Sequence, residues 1–266
     1  LIMLCIGLIA FILYTIMDRK LDRSNAEAQA GASDEEAFRL SDILVIVKNR
    51  GWWLLALLCV LFYSAVFPFL KYASDLMVNK FGVSEDMAGT IPGLLPFGTM
   101  ILTPFFGNLY DRKGKGATIM IIGAALLIVV HLLFSVPIIN HWIMAVLLIV
   151  VLGVGFSLVP SAMWPSVPKI IPEKQLGTAY ALIFWVQNWG LMGVPALIGW
   201  VLDTYCITGY RMVDGARLPN YDYTIPMIIF MSLGVLALIV AFMLKAEDRR
   251  KGYGLELPNI EKIAEV

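Results

Sequence analysis

The chain has 266 residues, of which 59% are hydrophobic and 15% charged, with a mean hydropathy of +0.80 and 20 basic against 20 acidic side chains. Soluble domains carry about 45–50% apolar and about 25% charged residues, so this composition excludes an ordinary soluble domain. A net charge of zero leaves no basic excess to hold nucleic acid.

Apolar segments occupy residues 1–17, 52–70, 87–106, 117–136, 142–163, 176–202 and 225–244. Each is read as a helix that crosses, or nearly crosses, about 30 Å of hydrocarbon. Several helices are expected to run past these edges. The first segment has no starting Met and no basic stretch before it, so it makes a poor signal peptide. It is expected to be the end of a helix that begins upstream, in a longer protein.

Residues 18–50 form a long polar connector. Residues 18–32 are Ala-rich and polar and are expected to be mobile, while Ser33-Asp34-Glu35-Glu36 has the spacing of a capping box with acids in the first turn. Phe38, Ile43, Leu44 and Val47 then make a weakly amphipathic stretch leading to Trp52 and Trp53, residues suited to a membrane interface. Two readings stand for this segment: a helix lying on the membrane surface, or a plain polar connector.

Alternating the loops puts sixteen of the 20 lysines and arginines on one side, that of 18–50, 111–115, 169–174 and the tail. Lys71, Lys80, Arg211 and Arg217 fall on the other. The positive-inside rule makes the first side cytoplasmic, with the C-terminus inside. Cys5 and Cys59 lie in spans and Cys206 in an outer loop, so no disulfide framework is expected. No metal-ligand spacing, no cofactor motif and no nucleophile–base pair is present, and an enzyme is not expected.

Polar side chains inside spans are costly in lipid and tend to face protein or a watery cavity. Helical spacing sorts them into faces: Tyr63, Phe67 and Lys71; Pro92, Pro96, Thr99 and Thr103; Gly153, Ser157, Ser161 and Trp164; and Tyr180, Phe184, Gln187 and Asn188. Each polar residue taken alone could equally be glue between helices; four such faces favour a shared cavity. His131 has no polar companion in its span and is expected to be a packed side chain, with a proton relay as the alternative. Prolines at 68, 92, 96, 104, 160, 165, 195 and 226 should kink the spans. The helix around Trp164, between Pro160 and Pro165, should be irregular. Gly123, Gly190 and Gly193 should permit close helix packing.

Residues 107–116, Gly-Asn-Leu-Tyr-Asp-Arg-Lys-Gly-Lys-Gly, are read as a short charged loop between two spans. Asp111 can accept hydrogen bonds from the exposed N–H groups at another helix's start. The order G-x-L-x-D-R-x-G-K resembles the loop signature of the major facilitator superfamily. Tyr63-Ser64-Ala65-Val66-Phe67-Pro68-Phe69, Ala162-Met163-Trp164-Pro165, Pro172 to Tyr180 and Gln187-Asn188 are together similar to the C-terminal half of its lysosomal dipeptide-uniporter branch and that branch's bacterial relatives. One departure is Leu176, where many members carry a basic residue before the glycine.

The resemblance implies an all-α polytopic membrane protein: the C-terminal six-helix half of a twelve-helix fold, plus the end of helix six. Residues 1–17 would end helix six, 18–50 would be the cytoplasmic linker with its short amphipathic helix, 51–245 the six-helix bundle and 246–266 the cytoplasmic tail. Partners would be the lipid bilayer, a small-molecule substrate and the N-terminal half of the same protein, with no nucleic acid. The activity implied is secondary transport of a small organic solute, short peptides included, by alternating access. The cavity candidates are Tyr63, Phe67, Thr99, Ser157, Ser161, Trp164, Tyr180, Phe184, Gln187 and Asn188. The cytoplasmic latch would comprise Gly107, Asp111, Arg112, Gly114 and Lys115, with the start of a helix in the other half as the partner of Asp111. The membrane would be a cell (inner) membrane, or a lysosomal one in a eukaryote. A seven-helix receptor and a non-transporting membrane scaffold are the alternatives.

Overall fold

The structure is a computed structural model and describes residues 2–28, 40–213 and 215–260. The chain divides into two units, Leu1–Arg39 and Leu40–Val266. In the first, helix α1 (Ile2–Ala28) runs through the charged stretch Asp18–Arg23. Residues 18–28 are therefore helical, where a mobile polar stretch was expected, as suits a run of Lys, Arg, Leu, Ala and Glu. The capping box expected at Ser33–Glu36 and the apolar Phe38 lie outside the described residues.

The second unit opens with α2 (Leu40–Lys48), a short helix whose Leu44, Val45 and Val47 are exposed while Ile46 is buried. Six long helices follow: α3 (Arg50–Phe81), α5 (Thr90–Lys113) after the one-turn α4 (Glu85–Ala88), α6 (Gly116–Ser135), α7 (Trp142–Ile170), α8 (Leu176–Tyr205) and α9 (Thr224–Lys251). All six, counting α4 with α5 and the single 3₁₀ turn Glu173–Gln175 with α8, are long and apolar enough to cross a membrane. They match the six later apolar segments and extend them by up to several turns.

Local chemistry sets the ends. The Asn49 side chain accepts from Trp52 N at the start of α3, and Gly82, at φ 61°, closes its end. His141 caps α7 by accepting from Ile143 N. Lys80 Nζ donates to the carbonyls of Phe134 and Val136 and so closes the end of α6. Trp52 is buried and its Nε1 donates to Ala179 O of α8, while Trp53 Nε1 bonds Val47 O of α2. Of the two expected interface tryptophans, only Trp53 keeps part of its surface open.

Helix α3 is the most covered of the six. It packs against α9 on one side and α8 on the other, and also meets α7; α6 joins α9 to α7, and α5 lies on α7. α5 and α8 are the least covered. Without a hydrophobic drive between helices in lipid, close approach of backbones matters. A Cβ on Gly123 would lie 2.5 Å from Val159 Cγ2, and one on Gly190 would overlap Ser64 Oγ, so both glycines allow tight crossings. Gly193 has no such neighbour within 4 Å. His131 is buried between the rings of Phe69 and Phe230, with Nδ1 2.9 Å from Leu127 O. α7 runs as unbroken helix through Pro160, Pro165 and Pro168, against the irregularity expected there.

The connection between α8 and α9 is not a plain loop. Strands β1 (Ile207–Val213) and β2 (Ala216–Tyr221) form an antiparallel hairpin, with Val213 opposite Ala216 and Gly215 at φ 81°. The dipeptide Asp214-Gly215 is a strong two-residue hairpin signal, and the sequence reading passed over it. The membrane-spanning part is all helix, as expected.

Candidate functional site

Five of the candidate side chains meet on one face built by three helices. Tyr63 and Phe67 lie one turn apart on α3, with ring centroids 5.6 Å apart. Trp164 comes from α7, and its Nε1 donates to the Tyr63 hydroxyl at 3.1 Å. Tyr180 and Phe184 come from α8; the indole of Trp164 stacks on Phe184 at 5.0 Å and tilts against Tyr180 at 5.9 Å. Pro168 has no N–H to give the carbonyl four residues before it, that of Trp164. The Tyr180 hydroxyl donates to that carbonyl at 3.0 Å and fills the gap. The proline-rich end of α7 thus stays helical while gaining a link to α8.

Phe156 completes the cluster: its ring lies 5.5 Å from Phe67, 5.6 Å from Tyr63 and 6.0 Å from Phe62. The sequence reading missed it by following the serines. Phe156, Pro160 and Trp164 stand at i, i+4 and i+8 on α7, which is the stripe the face uses. Phe67 and Phe184 are about half exposed, at 43% and 48%, so the face is open at both edges.

The other candidates do not join it. Ser157 and Ser161 are buried and donate to Gly153 O and Leu158 O of their own helix. Thr99 on α5 donates to Pro96 O. Gln187 is buried toward α3, where its Oε1 accepts from Cys59 Sγ at 3.2 Å. Asn188 is exposed and donates to Phe184 O. Gln187 faces α3 while Asn188, about 100° further round α8, stays exposed, so the structure does not bring the two amides together. Gln187 is glue between α3 and α8; Asn188 borders the aromatic face.

The charged signature is also placed differently from its expectation. Residues 107–113 are the last two turns of α5, and only Gly114 and Lys115 connect to α6. Gly114 has φ 68°, and Lys115, at φ 63°, is the one non-glycine with positive φ among the described residues. Arg112 Nε donates to Asn108 Oδ1, and Gly107 has open space around it. The Asp111 carboxylate accepts from Asn259 Nδ2 at 2.7 Å, and its carbonyl accepts from the N–H groups of Asn259 and Ile260 at 3.0 Å. The partner of Asp111 in this chain is thus the C-terminal segment.

At the hairpin end of the bundle, Arg211 of β1 forms ion pairs with Asp75 (3.1 Å) and Glu85 (3.4 Å) and donates to Asn79 and Asn220. Tyr223 donates to Asp75 and Tyr221 to Asp203. Burial first, and then the bonded carboxylate, pushes the Tyr221 phenol up to about 12 and the Tyr223 phenol up as well. Cys206, expected to be the accessible thiol, is buried beside the hairpin, and burial raises its thiol.

Six helices long and apolar enough to cross a membrane make this an integral multi-pass membrane protein. The model of the Major Facilitator Superfamily matches residues 66–259, well over half of the chain, and the chain belongs to that superfamily. It is 30% identical over 209 residues to the lysosomal dipeptide transporter MFSD1 of Homo sapiens, a match covering 79% of this chain and 43% of that protein. The mouse (Mus musculus) counterpart is 34% identical over 181 residues, covering 68% of this chain and 35% of the relative. A crystal structure of the peptide transporter POT in complex with sulfate shares the fold, with a TM-score of 0.63 at 16% identity over 82% of this chain and 42% of that one. The chain therefore spans less than half the length of these relatives.

Proposed function

We propose that the chain is the C-terminal half of a secondary transporter that moves a small organic solute across a membrane by alternating access, with short peptides as the first substrate class to test. The observation that carries this reading is the aromatic face. Trp164, Tyr63, Tyr180, Phe184 and Phe156 come from three helices, are fixed to one another by hydrogen bonds and ring stacking, and still leave ring surface open. Such a face takes up the apolar part of an amphipathic solute, and Asn188 at its edge offers an amide to the polar part. The names of the curated relatives support the peptide class.

In this reading residues 1–17 end helix six, 18–50 link the two halves along the cytoplasmic surface, 51–245 are helices seven to twelve and 246–266 are a cytoplasmic tail. The other half, a lipid bilayer and the solute are its partners. The exposed apolar side chains of α5 and α8, Phe97 and Trp189 among them, have partners in lipid or in the other half. Of the carboxylates near the spans' outer ends, Asp75 and Glu85 are engaged by Arg211 and Asp203 accepts from Tyr221. Proton coupling, if transport has it, would reside in the other half.

The test is full-length protein in liposomes, offered a panel of dipeptides, free amino acids and sugars with and without a pH gradient. Uptake of dipeptides is expected; uptake of none of the panel by correctly inserted protein would refute the transport reading. Orientation is read separately. Lys113 is exposed, whereas Gly114 is buried under the C-terminal segment. Lys113→Cys should be labelled from the cytoplasmic side and Asn220→Cys from the opposite one.

A further inference from the structure

Helix α6 starts without a cap of its own. The residue before it is Lys115, which makes no side-chain capping bond, and the first four N–H groups of any helix lack partners inside it. The C-terminal segment supplies them. Lys115 N donates to Glu256 O at 2.9 Å and Gly116 N to Leu255 O at 2.8 Å. The Glu256 carboxylate accepts from Thr118 N at 2.9 Å and Thr118 Oγ1 at 2.8 Å. Lys245 Nζ, on α9, bonds Thr118 Oγ1 at 2.6 Å and lies 3.7 Å from the same carboxylate.

The segment also ties down other helix ends. Leu255 is fully buried and its N–H donates to Asp248 of α9. Lys169, just past the prolines of α7, donates to Gly254 O and Leu257 O. The ring of Tyr253 covers Gly51 at the start of α3, where an added Cβ would meet it at 2.9 Å. Asn259 holds Asp111 of α5. One stretch of nine residues, 252–260, therefore bridges the same-side ends of α3, α5, α6, α7 and α9.

The turn is shaped to receive it. A Cβ on Gly114 would lie 2.5 Å from Glu256 O and from Leu257 C, so the glycine admits the segment's backbone as well as the positive φ. Lys115 in the left-handed region brings its Cβ too close to the following carbonyl, and such a conformation persists where its surroundings over-determine it. The two carbonyls from Leu255 and Glu256 do so.

We propose that residues 252–260 are an intramolecular strap that sets the conformation of the signature turn, with Glu256 and Asn259 as positioning residues for Asp111. Turnover then depends on a segment that touches no solute. The effect on turnover rests on the latch role of Asp111; the effect on the turn does not.

The test uses the full-length protein. Hydrogen–deuterium exchange is followed over residues 111–120 in wild type, Glu256→Ala, Asn259→Ala and a chain ending at Gly252. Truncation should speed exchange at Lys115, Gly116 and Thr118 by roughly tenfold, the scale of one lost hydrogen bond, and Glu256→Ala should do so at Thr118. Turnover should fall severalfold with KM unchanged, and Glu256→Gln, which keeps one acceptor oxygen, should recover part of both. Should the truncated chain not fold, the two point variants carry the exchange comparison. Unchanged exchange in the turn would overturn the proposal, and a loosened turn with unaltered turnover would overturn its link to turnover. Absence of uptake by the wild type would count against the transport reading, while the exchange arm would still decide whether the strap holds the turn.

Discussion

The aromatic face and the signature turn both carry polar and aromatic residues at helix surfaces, and they use them in opposite ways. At the turn nearly every group is spent inside the chain: the first N–H groups of α6 on the strap, the Asp111 carboxylate on Asn259 and Lys169 on two carbonyls. At the face, hydrogen bonds fix the rings to one another, yet Phe67 and Phe184 remain about half exposed. On the proposed reading, the difference separates recognition from conformational control: capacity left unspent marks where a solute would be met, and capacity spent marks where one geometry is held.

Substitutions should break along that line. The largest effect is expected for Trp164→Ala, which removes the indole that joins α3 to α8. Uptake should be lost, or KM should rise by roughly tenfold or more, at normal membrane levels. Asp111→Asn keeps the shape and removes the charge, and a charge-assisted bond is about twice as strong as a neutral one. Turnover should drop sharply while KM and insertion hold; unchanged turnover would separate Asp111 from any latch. Gln187→Ala should leave KM alone and cost about 1 kcal/mol of stability, read as a lower thermal midpoint, because its amide links α3 to α8. A raised KM with an unchanged midpoint would put Gln187 back in the solute site.

The smallest expected effect concerns Tyr221 of the hairpin. Tyr221 has its folded-state value raised to about 12, above the unfolded value of about 10. Its neutral form is the one the fold favours, so this contribution is intact below about pH 10 and is lost as pH rises through about 12. The fall in thermal midpoint across that window should be shallower in Tyr221→Phe.

Much of this was legible in the sequence, for a plain reason. Long apolar runs must be helices in lipid, because only internal hydrogen bonding satisfies the backbone there. Hence the six spans of the bundle, and the pairing of Tyr63 with Phe67 and of Tyr180 with Phe184, followed from length and spacing alone. Direction around a helix was harder. Gln187 and Asn188 were placed on one face by helical spacing, but such a stripe is about 100° wide and its two edges can meet different surroundings, and Phe156 was passed over for two serines that bond their own backbone. The strap was not legible at all. Most of its contacts run through backbone carbonyls and N–H groups, which every residue has, so Leu255-Glu256-Leu257 carries no pattern that announces where it docks. The hairpin was legible through Asp214-Gly215, a two-residue turn signal that the reading of apolar spans did not use.

The central claim is that the aromatic face meets the solute, and protection from labelling tests it most directly. Phe67→Cys is made in the full-length protein, with Trp200→Cys, an exposed position elsewhere, as the control. Thiol labelling of each is timed with and without a saturating dipeptide that the protein transports. The dipeptide should slow labelling at residue 67 severalfold and leave residue 200 unchanged. Equal labelling at residue 67 with and without the dipeptide, in a variant that still transports it, would contradict the assignment.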